Sequence, residues 1–339
     1  MTVDAKDSTA PGARDALAQA WAALQAGDGE TAIASYRQLA QQEPNEARWP
    51  IEVSLLLNAC GRPSEARAEL ARARARWSDD YLQRAAAKAL PFEAPAVSDA
   101  GIHAYLPDGI DEVHLTRPLV ADDPERDVIV AEQPGADTVA IVFTGSRDGA
   151  LGTPLNVFDW HLAALGVSAI YLKDFSRLLH LTGVRSLGDV KATSDGLQDL
   201  ARRLGARRLC TIGASTGGPA ALYYGVELGA ARIVSFSGPT NLDQPRAECS
   251  RFRIFKRRLT EAAFAEPLDA REFLLSRHSS IPIELVYGAD MAQDRGYALH
   301  LEGVPGVTLH PQPGLDSHKI MPQLAKSGQL RALLTEFLA

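Results

Sequence analysis

The chain is poor in features that would mark several common protein classes. Its three cysteines, Cys60, Cys210 and Cys249, lie far apart and are odd in number. That is not a disulfide framework, and it fits a reducing cytoplasm. No apolar run is long enough to span a bilayer. The opening stretch "MTVDAKDSTAPGARDAL" has no apolar h-region, so no secretory signal is expected. Basic excess is missing too. The net charge is -7, which argues against a general nucleic-acid binder. HExxH, a CxxC pair and a Walker loop are all absent, which disfavours metal and nucleotide chemistry. What remains is 339 residues with 46% apolar and 23% charged side chains, enough for a large soluble core.

Two textures divide the chain. Residues 13–90 are rich in Ala, Arg, Glu and Leu at helical spacing, without strand-like alternation. Residues 1–12 read as a disordered N-terminus. The stretch 91–101, with two prolines and a glycine, reads as a linker. Within the helical part, Gly27 and Gly61, Ala32 and Ala66, and Tyr36 and Leu70 each lie 34 residues apart. A fixed period of that length, with small residues where helices cross, predicts paired-helix units. The glycines end the first helix of each pair, and the alanines admit a close neighbour. This resembles the tetratricopeptide repeat, over two units. The second unit departs from it, with Ser78 where a proline is expected and Pro50 early in its first helix. Two units are short of a self-sufficient stack, so they are expected to dock on the rest of the chain. The helices read either as a groove for a protein partner or as a brace that packs in cis.

From about residue 102 to 339, short apolar runs alternate with helical patterns. Strands are expected at 127–133, 137–145, 167–174, 207–214, 231–238, 281–288 and 306–312. Helices are expected at 154–165, 188–204, 218–229, 293–302 and 321–338. Continuous apolar runs between helices predict an α/β domain, with a mostly parallel sheet flanked by helices. In such sheets ligands bind beyond the carboxyl ends of the strands.

The string "GASTGG" stands there. Alone, a serine between Gly213 and Gly217 is weak evidence. Its context is a buried-strand pattern ending at Gly213 and a helix pattern starting after Ser215, with Pro219 in the first turn. Strand, sharp turn and helix are what a nucleophile elbow needs. A serine also needs a base, and the base an orienting carboxylate. His318 follows the last expected strand in the loop "QPGLDSHKIMPQL". After "IPIELVYG" come Asp290 and Asp294. Distance from the strand end favours Asp290, and Asp294 stays open as the alternative. The developing oxyanion needs backbone donors. Thr216 N–H follows the nucleophile, and the loop "FTGSRDGALG" offers Gly145 or Ser146 as the second. Lys173 and Asp174, at the end of another strand, are candidates to touch substrate, to pair, or to cap a helix. Residues 243–280 read as a helical insertion in the position of a cap. Trp160 and His161 read as buried core.

The elbow "GASTGG", the loop "FTGSRD", the loop "YGADMAQD" and "LDSHK", in that order, resemble the α/β-hydrolase superfamily. The resemblance covers about 100–339. It implies a serine hydrolase without metal or organic cofactor, using a Ser-His-Asp triad and an acyl-enzyme, with carboxylic esters as the commonest targets. The substrate expected is a small-molecule or glycan-linked acyl compound. Transfer to a glycan or carrier acceptor, and a non-catalytic scaffold that recruits a partner through its helices, are the alternatives.

Overall fold

A computed structural model describes residues 11–78, 99–107, 114–123, 125–145, 153–176, 178–242, 250–262 and 264–338. Most of the expected N-terminal stretch 1–12 and of the linker 91–101 lies outside these residues, as do 79–90 and 243–249. Residues 11 and 12 are not disordered: they open the first helix. The chain forms two compact units. One holds the described residues within 1–92, 175–178 and 244–264; the other holds those within 93–174, 179–243 and 265–339.

The first unit is helical: α1 (Pro11–Ala26), α2 (Gly29–Gln42), α3 (Arg48–Ala59) and α4 (Pro63–Arg74). Gly27 and Gly61 follow α1 and α3 with φ of 70° and 71°, the left-handed turn that a residue with a Cβ resists. Asp28 caps α2 by accepting from Thr31 N–H at 3.1 Å. Ala32 and Ala66 are buried, and Tyr36 stacks on Trp49 at 5.9 Å. Pro50 is tolerated because it stands in the first turn of α3, where its N–H has no partner to lose. The insertion expected over 243–280 is split. Its helix Ser250–Glu261 belongs to this unit and packs on α1 and α3, with Ile254 in their shared core. Arg258 there donates to the carbonyls of Ala59, at 2.6 Å, and Ser176, at 2.7 Å. The second insertion helix, Ala270–Ser276, belongs to the other unit.

The second unit is α/β. Seven strands, β1 (Val128–Ala131), β2 (Thr138–Phe143), β3 (Ser168–Leu172), β4 (Arg208–Ala214), β5 (Arg232–Phe236), β6 (Ile283–Gly288) and β7 (Val307–Gln312), form one sheet in the order β1-β3-β2-β4-β5-β6-β7. Only β1 is antiparallel to its neighbour, pairing Val128 with Leu172. Its Val130 is exposed, as an edge strand allows, whereas every residue of β3 is buried. One face is covered by Leu155–Ala164 and the C-terminal helices, whose Leu324, Leu330, Leu334 and Phe337 share a core with Val142 and Ile212. The expected helix 321–338 is two, Met321–Lys326 and Gln329–Leu338, broken at Gly328 with φ 80°. Parallel register brings the ends of β2 and β4 side by side, Phe143 opposite Gly213. The residues that follow β2, β4, β6 and β7 therefore emerge along one edge of the sheet.

Candidate active site

Ser215 follows β4 directly. It opens a short 3-10 turn, Ser215–Gly217, that runs into the helix Gly218–Glu227. Its φ is 53°, a conformation that L-residues other than glycine rarely adopt and that tight functional turns retain. Both neighbouring glycines are required by contact. A Cβ on Gly213 would lie 2.3 Å from Gly217 O, and one on Gly217 would lie 2.2 Å from Phe143 O and 2.7 Å from Thr144 O. The turn thus presses against the end of β2. Ser215 itself is half-buried, with its side chain on the carboxyl side of the sheet.

His318 stands 2.8 Å from Ser215 Oγ through Nε2. Its Nδ1 lies 2.9 Å and 3.0 Å from the two oxygens of Asp294. A carboxylate only accepts, so Nδ1 carries the proton and Nε2 presents its lone pair to the serine hydroxyl. The Asp294 side chain is wholly buried, whereas 37% of the His318 side chain is exposed. The buried carboxylate is thus held against one edge of the imidazole, and the other edge faces Ser215 Oγ.

The structure brings Asp294, not Asp290, to the histidine. Asp290 is exposed and accepts instead from Gly314 N–H at 2.9 Å, and its own N–H donates to Leu315 O. It ties the turn after β6 to the loop that carries His318. Chain distance favoured Asp290, but residues 292–300 are helical, and the first turn rotates Asp294 inward. A signal for this exists: Asp294 and Ala298 are four apart, on one buried face.

Thr216 is the second residue of the turn, where a backbone N–H has no intrahelical acceptor. Gly145 is buried just beyond the end of β2. Ser146 lies outside the described residues. Lys173 is buried. Its Nζ is bound to Asp122 and donates to Asp123 O at 2.8 Å. Asp174 is buried beside it in sequence. Trp160 and His161 are both buried. Among the described residues no group of three or more His, Cys, Asp or Glu side chains is placed to hold a metal ion. No described helix is long and apolar enough to cross a membrane.

No family model matches the chain, and no curated protein does so. Solved structures offer fold likeness at low identity. An S-formylglutathione hydrolase from Agrobacterium tumefaciens is 13% identical, with a TM-score of 0.44 over 62% of this chain and 89% of that one. An esterase from Pyrococcus furiosus is 18% identical, with a TM-score of 0.40 over 66% of this chain and 98% of that one. A dienelactone hydrolase from Anabaena variabilis is 18% identical, with a TM-score of 0.41 over 66% of this chain and 97% of that one.

Proposed function

We propose that the protein is a serine hydrolase acting on carboxylic esters through an acyl-enzyme. The observation that carries this reading is the unbroken hydrogen-bonded chain Asp294–His318–Ser215, with links of 2.9 and 2.8 Å. Ser215 Oγ attacks the acyl carbon while its proton passes to His318 Nε2. Asp294 holds the imidazole in the required tautomer and stabilises the imidazolium that forms. Thr216 N–H and Gly145 N–H receive the oxyanion. As the tetrahedral intermediate collapses, the C–O bond of the ester breaks and His318 returns the proton to the departing alkoxide. Water then repeats the sequence on the acyl-enzyme, and the carboxylic acid leaves. An acceptor hydroxyl in place of water would make the same site an acyltransferase.

A fluorophosphonate probe tests this. Folded wild type should be labelled and should hydrolyse p-nitrophenyl acetate, and Ser215→Ala should do neither. A folded wild type that takes no label refutes the nucleophile.

The N-terminal helices support a second, separate reading. The pairs Gly27 and Gly61, and Ala32 and Ala66, occupy equivalent places in two helix pairs. We read these as two tetratricopeptide-like units. The faces of α1 and α3 are occupied by the chain's own helix Ser250–Glu261, which favours a brace packing in cis over an open groove for a protein partner.

A further inference from the structure

We propose that His180 is a positioning residue for the oxyanion donor at Gly145, an inference that rests on the reading of Ser215 as nucleophile. His180 is 1% exposed. Its Nε2 lies 3.2 Å from Thr144 O. A carbonyl oxygen accepts only, so this nitrogen carries the proton and donates. Thr144 and Gly145 share one peptide plane, in which C=O and N–H point in opposite directions. Holding the Thr144 oxygen on one side therefore sets the direction of Gly145 N–H on the other.

The imidazole is itself held on several sides. Its ring meets the edge of Phe143, the last residue of β2, at 5.3 Å and 79°. Phe143 stacks in turn on Tyr224 at 5.3 Å and 18°. Tyr224 stands on the helix that follows Ser215, and its hydroxyl donates to His180 O at 3.0 Å. The carbonyl at the root of one oxyanion strand and the helix behind the other donor are thereby joined through one residue. The backbone makes the same point. Leu179 and His180 are both buried, and both have φ of 58°. Two successive L-residues in the left-handed region are costly, and such a conformation persists only where its surroundings over-determine it. A plain filler of the space beside Phe143 would need neither this backbone nor a donor.

The test compares wild type with His180→Phe, which keeps a ring against Phe143 without the donor, and His180→Gln, which restores an N–H. Unfolding midpoints are measured alongside kcat and KM for p-nitrophenyl acetate and the rate of fluorophosphonate labelling. Loss of a full oxyanion donor lowers kcat by roughly 100- to 1,000-fold. A donor left in place but badly aimed should cost less, about 10- to 100-fold in H180F, with KM nearly constant. H180Q should recover most of that loss, and labelling rates should follow kcat. Should H180F fail to fold, His180→Leu takes its place. Wild-type kcat in both variants, or equal losses in both, overturns the positioning role. An unlabelled wild type overturns the nucleophile reading first, and the role of His180 with it.

Discussion

Gly213 and Gly217 face one another across the turn that carries Ser215, and a Cβ on the first would stand 2.3 Å from the carbonyl oxygen of the second. The obstruction is backbone, which cannot rotate aside. Gly217 is caught again on its far side, 2.2 Å from Phe143 O. Gly213→Ala and Gly217→Ala should each destabilise the fold by about 1–3 kcal/mol or more, and each should lose phosphonate labelling. Gly296 is the control. It lies exposed within the helix Ala292–His300 with nothing near its missing Cβ. Gly296→Ala should stabilise by about 0.5–1 kcal/mol. Urea unfolding measures all three. An elbow variant that unfolds like wild type would mean the turn is looser than its contacts require.

The two aspartates after β6 should separate cleanly. Asp294→Asn keeps the shape but no longer enforces the tautomer, and kcat should fall about 1,000- to 10,000-fold. Asp290→Asn touches an exposed turn and should change kcat by no more than about twofold. Steady-state hydrolysis of p-nitrophenyl acetate gives both values. A reversed order would hand the orienting role to Asp290.

Those aspartates also show where linear reading stops. The inner strands β2 to β6 were legible because a strand buried on both faces must be a short apolar run, whereas the edge strands β1 and β7 are only partly buried and show mixed patterns. The antiparallel pairing of β1 was not legible, because direction depends on its partner and not on its own residues. The break at Gly328 is written in "KSGQ", where a glycine interrupts a helical pattern. Distance along the chain misranked Asp290 because a helix converts residue count into rotation. In "RFRIFKRRL" the buried residues are Ile254, Phe255 and Leu259, the apolar minority of a strongly basic stretch. For Lys173 the sequence leaves substrate contact, pairing and helix capping open, and the structure shows an ion pair. Its partner Asp122 comes from "LVADDPERD", a stretch with no periodic pattern at all.

A buried ion pair in the sheet unit offers a stability test independent of catalysis. Arg117 meets Asp159 through two hydrogen bonds of 2.7 and 2.6 Å, and the side chains are 2% and 0% exposed. Asp159 also accepts from Tyr171 Oη at 2.6 Å and Val120 N–H at 2.9 Å. Asp159→Leu strands the guanidinium without its counter-charge and should cost about 3–5 kcal/mol. Adding Arg117→Met should recover part of that loss, because it removes the stranded charge while Tyr171 Oη and Val120 N–H still lack the acceptor that Asp159 gave them. Urea unfolding of the two variants decides. A single variant within about 1 kcal/mol of wild type would show that water reaches the arginine.

His161 should make the protein sensitive to mild acid. It is fully buried, and neither ring nitrogen has a hydrogen-bond partner among the described residues. Burial, and secondarily the positive charge of Arg331, pulls its pKa down from 6.5 to about 4. In the unfolded chain the imidazole takes up a proton as the pH falls past 6.5, whereas in the folded protein it stays neutral until about 4. Across that window the unfolded state binds more protons, so stability rises with pH and is lost on acidification. The full difference corresponds to about 3 kcal/mol, present above pH 6.5 and gone below pH 4. His161→Phe removes this contribution and leaves the other titrating groups in place. The stability of wild type relative to H161F, from urea unfolding at pH 7 and at pH 4, should therefore drop by about 3 kcal/mol. Parallel pH profiles for the two proteins would mean that the ring is hydrated and that its charged form is accommodated despite burial and the nearby Arg331.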